Sequence, residues 1–183
     1  MNSLVTKNLS LFLPLAIVMP AYGVDYLNEA QAQKVLFPTA DQFIKKDITL
    51  TDDQIAKIKD LSGTRQRTKT PAIWRVQNKS TLLGWFFVDE VVGKHEFITY
   101  ATAVDPNGKV LGIEIMSYRE THGGEVRQEA WRKTFKGKSL SDPLKLDKDI
   151  PNITGATLSC RNVLDGVKRI LVIEQVLNGE KLL

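Results

Sequence analysis

The sequence predicts an α+β protein in which helices pack against one antiparallel sheet. Three observations indicate this class. Four strand-like runs follow one another in the middle of the chain, a tight turn joins the last two, and the final segment has apolar residues at helical spacing. Because helices precede and follow the strands instead of alternating with them, the sheet should be an antiparallel meander.

The composition is that of one globular domain. The chain has 183 residues, of which 43% are hydrophobic and 25% are charged, and both fractions are near the average for soluble proteins. Its 12 glycines and 7 prolines follow no repeat, which excludes collagen and low-complexity disorder. A single cysteine excludes an internal disulfide, and two histidines leave few ligands for a structural zinc site.

Residues 1–23 have the outline of a signal peptide. Lys7 is the one charged residue, an apolar run covers residues 9–19, and small residues stand at Ala21 and Gly23. The run is too short for a transmembrane helix, which needs about 20 apolar residues. We expect cleavage after Gly23 and a periplasmic or otherwise extracytoplasmic protein, with membrane association left open. An uncleaved membrane anchor is the alternative.

The next segment, residues 27–61, is predicted to be helical. Residues 51–54 (TDDQ) form a capping box, apolar residues follow at spacings of three, and Gly63 ends the helix. Residues 24–70 are therefore expected to form an N-terminal helical region, and residues 71–183 the main domain.

Four strands are predicted after this region. They cover residues 72–77, 82–92, 97–104 and 109–118. Residues 105–108 (DPNG) favour a tight turn, because proline sets φ at the second position and Asn-Gly accepts positive φ. Leu111, Ile113 and Ile115 alternate with Gly, Glu and Met, so these three side chains should share a buried face.

Two helices are predicted in the C-terminal half. Residues 125–135 should form a helix on which Trp131 and Phe135 meet, four residues apart. Residues 136–152 are polar and contain two prolines, which indicates irregular structure. An amphipathic helix from about residue 158 to residue 177 closes the chain.

A basic segment covers residues 57–79, with seven lysines and arginines against one aspartate. Trp74 is the one aromatic residue there, whereas nucleic-acid binding favours interleaved aromatics and a higher overall charge. A solvated basic loop is the simplest interpretation. Docking to an acidic redox partner or to an anionic membrane face is the other.

The segment with the most chemical information is residues 154–159 (TGATLS), directly before the last helix. Gly155 and Ala156 allow a ligand to approach the backbone, and a helix N-terminus offers unpaired N–H groups and the positive end of the helix dipole. These features are typical of a phosphate site, and a threonine hydroxyl can itself be esterified to phosphate. An ordinary helix start with Thr or Ser as N-cap is the alternative.

Three blocks in this order resemble the FMN-binding domain family, found in peripheral subunits of Rnf-type and sodium-translocating NADH:quinone oxidoreductases and in stand-alone exported proteins. The blocks are residues 104–110 (VDPNGKV), residues 120–138 from ETHGG through FKGK, and residues 154–159 (TGATLS). The resemblance implies FMN as cofactor, an FMN-binding domain over residues 71–183, and a C-terminal helix that follows the flavin-attachment loop. It also implies that Thr157 carries FMN through a phosphoester made by a flavin transferase, with FAD as donor and Mg²⁺ required.

Two positions depart from the family pattern. His122 stands where the family has proline, which should make the loop less rigid. Pro151 stands where the family has an aspartate six residues before the acceptor, with Asp149 and Asn152 near by. Either neighbour could serve instead, attachment could be inefficient, or FMN could bind reversibly or not at all.

The resemblance implies roles for individual residues. Thr157 would hold the phosphate, and the loop of residues 120–124 would close over the ribityl chain or the ring. Trp131 is a candidate for stacking on the isoalloxazine, with a core position beside Phe135 as the alternative, and Glu120 could instead cap the following helix. The proposed cofactor-binding residues are Thr154, Gly155, Ala156, Thr157, Leu158, Ser159, Glu120, Thr121, Gly123 and Trp131.

The sequence therefore predicts an exported electron-transfer flavoprotein in which FMN does the redox chemistry. An electron carrier is favoured over a stand-alone enzyme, without a catalytic residue or a metal site of its own. The expected partners are the flavin transferase and a membrane redox complex or a cytochrome, and not nucleic acid. One alternative is a non-redox module that binds FMN or another phosphate ligand reversibly, as a sensor or accessory factor of a membrane complex. Another is a flavin reductase with its own substrate.

Overall fold

The computed structural model describes residues 24–120 and 122–183, so the predicted signal peptide and Thr121 lie outside the described residues. The fold is α+β, as predicted. The strands are β1 (Val24–Asp25), β2 (Gln42–Lys46), β3 (Ala72–Asn78), β4 (Thr81–Val92), β5 (Phe97–Val104) and β6 (Val110–Tyr118). The helices are α1 (Glu29–Leu36), α2 (Asp52–Ser62), α3 (Glu129–Arg132) and α4 (Thr157–Gly179), with 3₁₀ turns at Gly124–Arg127 and Lys133–Phe135.

The six strands form one antiparallel sheet in the order β1-β6-β5-β4-β3-β2. Strands β3 to β6 are the predicted meander, and β1 and β2 add one strand to each edge. The predicted turn between β5 and β6 is closed by Asp105, whose Oδ1 accepts hydrogen bonds from the N–H groups of Asn107 (2.8 Å) and Lys109 (2.9 Å). Strands β3 to β6 therefore pair antiparallel with their neighbours in chain order, as the sequence predicts.

The prediction that residues 27–61 are helical throughout is wrong at β2. Two helices do form in this region, and α2 begins with the predicted capping box, in which Thr51 and Gln54 bond to each other's backbone N–H. Between the helices, β2 pairs along β3, with Lys45 opposite Trp74. This short, lysine-rich edge strand is extended because it is hydrogen-bonded to β3. The pattern of its own residues does not predict this long-range pairing.

A register shift in β6 changes the predicted alternation of its side chains. Ile113 and Ile115 lie in the core beneath α4, but Leu111 packs against the opposite face of the sheet. The pairing between β5 and β6 shifts between Ala103 and Val104, so that β6 has an extra residue there. The extra residue is Leu111 itself, and it packs on the face opposite to the one that the alternation predicts.

Both faces of the sheet are covered. The larger core lies between the sheet and α4, the predicted C-terminal helix, which buries fourteen of its residues. A smaller core lies on the opposite face. It contains Ala32 from α1 and Phe37 directly after α1, which pack with Trp74 and Phe86 of the sheet. The helix α4 comes very close to β5, because a Cβ atom at Gly166 would be 2.2 Å from the Tyr100 hydroxyl oxygen. A glycine at this position lets the longest helix lie flat on the sheet.

The segment predicted as one helix, residues 125–135, is broken into two 3₁₀ turns and the short α3. The break is at Gln128, whose φ of −58° and ψ of 130° are extended and not helical. Trp131 and Phe135 still meet edge to face, with ring centroids 5.0 Å apart. In residues 136–152 the described structure is irregular, as predicted, with one isolated bridge between Leu146 and Ile150.

Within the part of the chain that the structure describes, no helix combines the length and apolar character needed to cross a bilayer.

Candidate functional site

The start of α4 carries no side-chain cap. Its N-cap residue is Ala156, and no side chain of the described residues hydrogen-bonds to the first turn as a cap. The alternative of an ordinary helix start with Thr or Ser as N-cap is therefore wrong. Next to it, Gly155 has a φ of 87°, and none of the residues that the structure describes lies within 4 Å of the place where a side chain would stand. The backbone at this point is accessible to an anion, which the first N–H groups of a helix and its dipole attract.

A cavity of about 410 Å³ opens in front of this helix start. This volume is within the range of about 300–1,000 Å³ that is typical of small-molecule sites. Its lining residues are Gly155, Ala156, Thr157, Leu158, Ser159, Glu120, His122, Lys94 and His95. Six of the ten predicted cofactor-binding residues are thus brought together. With Thr157 half-buried in the wall and Lys94 beside it, the donor set fits a phosphate-bearing ligand.

The sheet positions the three segments that build this cavity. Tyr118 at the end of β6 pairs with Ile98 near the start of β5, so the loop after β6 lies beside the turn between β4 and β5. On the other side, Asn162 of α4 donates through Nδ2 to the carbonyl oxygens of Val92 and Gly93. The helix start and both loops are therefore fixed at the same end of strands β4, β5 and β6.

Glu120 ties two of these segments together. Its Oε1 accepts hydrogen bonds from the backbone N–H groups of His95 and Glu96, the latter at 3.0 Å. Partial burial raises the pKa of Glu120, but these backbone donors outweigh it and hold the pKa below its ordinary value. The carboxylate therefore braces the turn between β4 and β5, and does not cap the following helix.

The loop after β6 is held against α4 by the Tyr118 hydroxyl. This hydroxyl donates to the backbone carbonyl of His122 and lies 3.0 Å from the Ser159 Oγ in the first turn of α4. Gly123 fits closely here, since a Cβ atom on it would be 2.6 Å from the Tyr118 hydroxyl oxygen. Ser159 therefore contributes a buried structural contact at the cavity wall, and Gly123 is required for the loop to approach the helix.

A second cavity, of about 550 Å³, shares His122 and Gly155 with the first. Gly123 and Arg127 also line it. The Arg127 guanidinium lies 4.1 Å from the centre of the Tyr26 ring, and its Nε donates to the Gly124 carbonyl at 3.2 Å. A fixed positive charge is thus present on the far side of the loop.

Two of the predicted residues that the structure describes line neither the first cavity nor the second. Trp131 is 3% exposed, packs in the core and donates through Nε1 to the Pro151 carbonyl at 2.8 Å. Its ring is therefore a core aromatic, which corrects the stacking role. Thr154 is exposed and outside both linings. Thr121 lies outside the described residues.

Three residues of the site were not identified from the sequence. Lys94 and His95 come from the turn between β4 and β5, and Tyr118 ends β6. A sequence signal exists for the first two, because Gly93-Lys94 separates two strand-like runs. Nothing in the local pattern gives the pairing register that brings this turn to the start of α4.

The segment before the site is braced from within. Asp149 accepts hydrogen bonds from the N–H groups of Leu144 (3.2 Å) and Lys145 (2.8 Å), and it pairs with Lys138 at 3.2 Å. Burial raises the pKa of Asp149, but the Lys145 N–H, the Lys138 ammonium and the Leu144 N–H outweigh it and lower the pKa. In the described structure, the Asn152 Oδ1 is buried without a hydrogen-bond partner. Of the two residues near Pro151 that could replace the family's aspartate, Asp149 thus already has hydrogen-bond and ion-pair partners in its own loop.

A basic pocket lies further along α4, beyond the residues of this helix that line the first cavity. It has a volume of about 530 Å³ and is lined by Arg65, Arg67 and Asn162, among other residues. The Arg67 guanidinium lies 5.7 Å from the centre of the Phe97 ring, which is 49% exposed. Part of the basic segment predicted from the sequence therefore stands next to the first cavity, together with an exposed aromatic ring.

Comparison with known proteins finds a domain and several relatives that this chain resembles. Residues 93–172, which include the first cavity and most of α4, match the FMN-binding domain. The chain is 30% identical over 110 residues to a subunit of the ion-translocating oxidoreductase complex of Stutzerimonas stutzeri, an alignment that covers 54% of this chain and 48% of that protein. The chain thus spans about half the length of that relative.

Two further likenesses extend over more of the chain. A subunit of the proton-translocating ferredoxin:NAD(+) oxidoreductase complex of Clostridium ljungdahlii is 28% identical over 190 residues, covering 94% of this chain and 90% of that protein. The crystal structure of Shewanella oneidensis NqrC has the same fold, with a TM-score of 0.52 and 16% identity over 78% of this chain and 87% of that one. Residues 93–172 are therefore similar to the FMN-binding domain, and this match, together with the relatives, points to FMN as the cofactor.

Proposed function

We propose that this chain is an exported electron-transfer protein that carries FMN on Thr157 through a phosphoester bond. The observation that carries the proposal is the uncapped start of α4, where Thr157 lies half-buried in the wall of a cavity within the matched domain. The relatives are named as subunits of oxidoreductase complexes, which favours a membrane redox complex as the partner of this chain. The signal-peptide outline of residues 1–23 favours export.

Attachment would use the Thr157 hydroxyl as nucleophile. In a transfer from FAD, a bond forms between the Thr157 Oγ1 and the phosphorus on the riboflavin side, while the pyrophosphate P–O bond breaks and AMP leaves with its electron pair. The hydroxyl proton passes to a base of the flavin transferase. The N–H groups of the first turn of α4 and the nearby Lys94 would stabilise the phosphate charge.

The remaining residues of the cavity would position the flavin and its surroundings. When bound, FMN supplies one- or two-electron transfer through its isoalloxazine ring. Leu158, which is 45% exposed, offers an apolar surface at the cavity, and Glu120 keeps the turn that carries Lys94 in place. A covalent tether suits an exported protein, because FMN that diffused away could not be replaced from the cytoplasm.

The partner would dock at the basic pocket next to the cavity. Arg65 and Arg67 line it, the exposed Phe97 ring contacts Arg67, and the exposed Leu158 lines the first cavity. Positive charge steers an acidic partner, and exposed apolar side chains give the short contact that electron exchange needs.

The attachment is tested by producing the full chain together with a flavin transferase in the periplasm of a bacterial host. We expect in-gel flavin fluorescence after denaturation, and an intact mass that corresponds to cleavage after Gly23 plus one FMN minus one water. Thr157→Ala should abolish both signals, and Thr157→Ser should retain them. Thr154→Ala is the matched control, because this exposed threonine lies outside the cavity lining.

Other outcomes support the competing functions. One observation favours reversible binding, namely that Pro151 replaces the family's aspartate while Asp149 is already engaged by its own loop. Reversible binding predicts an unmodified mass together with flavin that co-purifies under native conditions and is lost on denaturation. A flavin reductase predicts steady oxidation of a nicotinamide donor without any partner protein.

Partner docking is tested on the flavin-loaded protein. Replacing Arg65 and Arg67 by glutamine should slow electron exchange with membranes of the source cell by about tenfold at low salt, and should flatten the dependence on ionic strength. Lys34→Gln is the control, because Lys34 lies in α1, which covers the opposite face of the sheet. Equal rates for the double variant and the control would exclude this docking face.

A further inference from the structure

A separate cavity lies near the C-terminal end of α4. It has a volume of about 510 Å³ and is bordered by the turn between β5 and β6, residues 139–141 and the last part of α4, from Leu171 to Gly179. Glu174 in its lining is seventeen residues beyond Thr157 on the same helix, which is about 25 Å along the axis. This cavity is therefore not part of the proposed flavin site.

Glu174 is the unusual residue of this cavity. Glu174 is 4% exposed, and its Oε1 has no hydrogen-bond partner among the described residues. The Oε2 lies on the side of Gly108, where a Cβ atom would be 3.4 Å from it. Burial, followed by the negative charge of Asp105, raises the pKa of Glu174 to about 7. A carboxyl group in such a position is costly unless a partner satisfies it.

The surroundings of Glu174 favour a positively charged partner. Of the described residues that line the cavity, Glu174 is the charged one, and Ser139, Ser141 and Asn178 add neutral acceptor groups. Asp105 contributes a second negative charge near by, held in place by the β5–β6 turn. The negative end of the α4 dipole acts in the same direction.

The size and walls of the cavity favour an organic cation over a metal ion. Within residues 24–120 and 122–183, no cluster of three or more histidine, cysteine, aspartate or glutamate side chains is arranged to hold a metal. Leu140 and Leu171 supply apolar wall area next to the carboxylate. We propose that this cavity binds an ammonium or guanidinium group on a short apolar stem, with the Glu174 carboxylate as its counter-ion.

The proposal is tested on the full-length protein with n-butylguanidinium and n-butylammonium as probes, by NMR titration and calorimetry at pH 8 and pH 5.5. We expect saturable shifts of the Gly108 and Glu174 amide signals at pH 8, and binding at least tenfold weaker at pH 5.5. Glu174→Gln should weaken binding at pH 8 at least tenfold. The matched control is Glu129→Gln, which removes an exposed carboxylate that pairs with Lys133.

A measurement on unaltered protein keeps the test valid if Glu174→Gln does not fold. At pH 6.5, binding of a cation to a protonated carboxyl releases a proton, so the calorimetric enthalpies should differ between phosphate and MES buffers, neither of which has a net positive charge. Equal enthalpies in both buffers would overturn the proposal. Equal binding of neutral n-butanol, or tighter binding of Ca²⁺ or Na⁺ at the same signals, would also overturn it.

Two sources of such a cation are distinguished in the same titration. A short peptide with a central arginine that binds more tightly than n-butylguanidinium would identify the ligand as a side chain of a partner protein. Tighter binding of free agmatine than of the peptide would identify a small-molecule amine. Absence of saturable binding for all probes up to 50 mM at pH 8 would exclude both sources.

Discussion

The Tyr118 Oη and the Ser159 Oγ lie 3.0 Å apart and join the end of β6 to the first turn of α4. The phenol proton is already donated to the His122 carbonyl. Since a hydroxyl has one proton to donate, the Ser159 hydroxyl supplies the proton of the second bond. One tyrosine oxygen therefore holds both the loop and the helix of the candidate site.

Removal of this oxygen should loosen the site. Tyr118→Phe leaves the His122 carbonyl and the Ser159 hydroxyl without that partner, and we expect a loss of about 2–3 kcal/mol in the free energy of unfolding. Ser159→Ala removes one bond and should cost about 1 kcal/mol. Urea unfolding of the two variants and the parent measures the difference. Equal values for the two variants would contradict the shared role of the oxygen.

Two glycines with similar backbone angles should respond differently to alanine. Gly123 and Gly155 have φ of 85° and 87°, so each alanine incurs about 1–2 kcal/mol for the left-handed conformation. At Gly123 the new Cβ would also meet the Tyr118 hydroxyl oxygen at 2.6 Å, whereas the space at Gly155 is open. Gly123→Ala should therefore destabilise the protein more than Gly155→Ala in chemical denaturation. The reverse order would argue against the loop placement.

The close approach of α4 to the sheet is tested at Gly166. An alanine there would place a Cβ 2.2 Å from the Tyr100 hydroxyl oxygen and 2.9 Å from the Val91 Cγ1. Overpacking of this kind costs about 1–3 kcal/mol, and a helix shift adds to it. Gly179→Ala is the control, since no atom of the described part of the chain lies within 4 Å of its Cβ position. Thermal unfolding should show a clear fall in the melting temperature for the first variant and almost none for the second.

Stability should fall as the pH rises through neutrality because of Glu174. Its pKa is raised from 4.5 to about 7 in the folded state, by burial and by Asp105. The folded protein therefore holds a proton that the unfolded chain releases, and this contribution is complete below pH 4.5 and lost as the pH passes 7. The loss amounts to about 3 kcal/mol. Glu174→Gln should abolish most of this slope in denaturation curves at pH 5, 6, 7 and 8, and Glu129→Gln should not.

The single cysteine should be unreactive in the native protein. Cys160 is fully buried, and burial raises the pKa of its thiol, so the thiolate that attacks an aromatic disulfide reagent is scarce and shielded. We expect a reaction on the order of 100-fold slower than in the denatured chain. A native rate equal to the denatured rate would place the thiol at the surface.

The sequence was informative where structure depends on local periodicity. The four meander strands and α4 follow from alternation and from helical spacing, and the turn at Asp105 follows from its proline and Asn-Gly pair. The strand β2 could not be predicted because its conformation comes from pairing with β3. The position of Leu111 could not be predicted because a register shift in β6 reverses its face.

The candidate site was predicted in part for a related reason. The segment from Gly155 to Ser159 is contiguous, so its residues reach one cavity together as soon as α4 begins there. Lys94 and Tyr118 join them through the pairing of β5 with β6, which is a long-range property. The family resemblance implied that Trp131 could stack on the flavin, whereas helical periodicity placed it beside Phe135. The structure shows the second arrangement, with Trp131 packed against Phe135 in the core.

If Thr157 carries the cofactor as proposed, the missing cap at the start of α4 would have a consequence for maturation. A helix whose leading amide groups lack acceptors frays at that end, and a phosphate on Thr157 would give those amides their acceptors. Loading of the cofactor would then be the last step of folding, in which the prosthetic group completes the secondary structure that holds it.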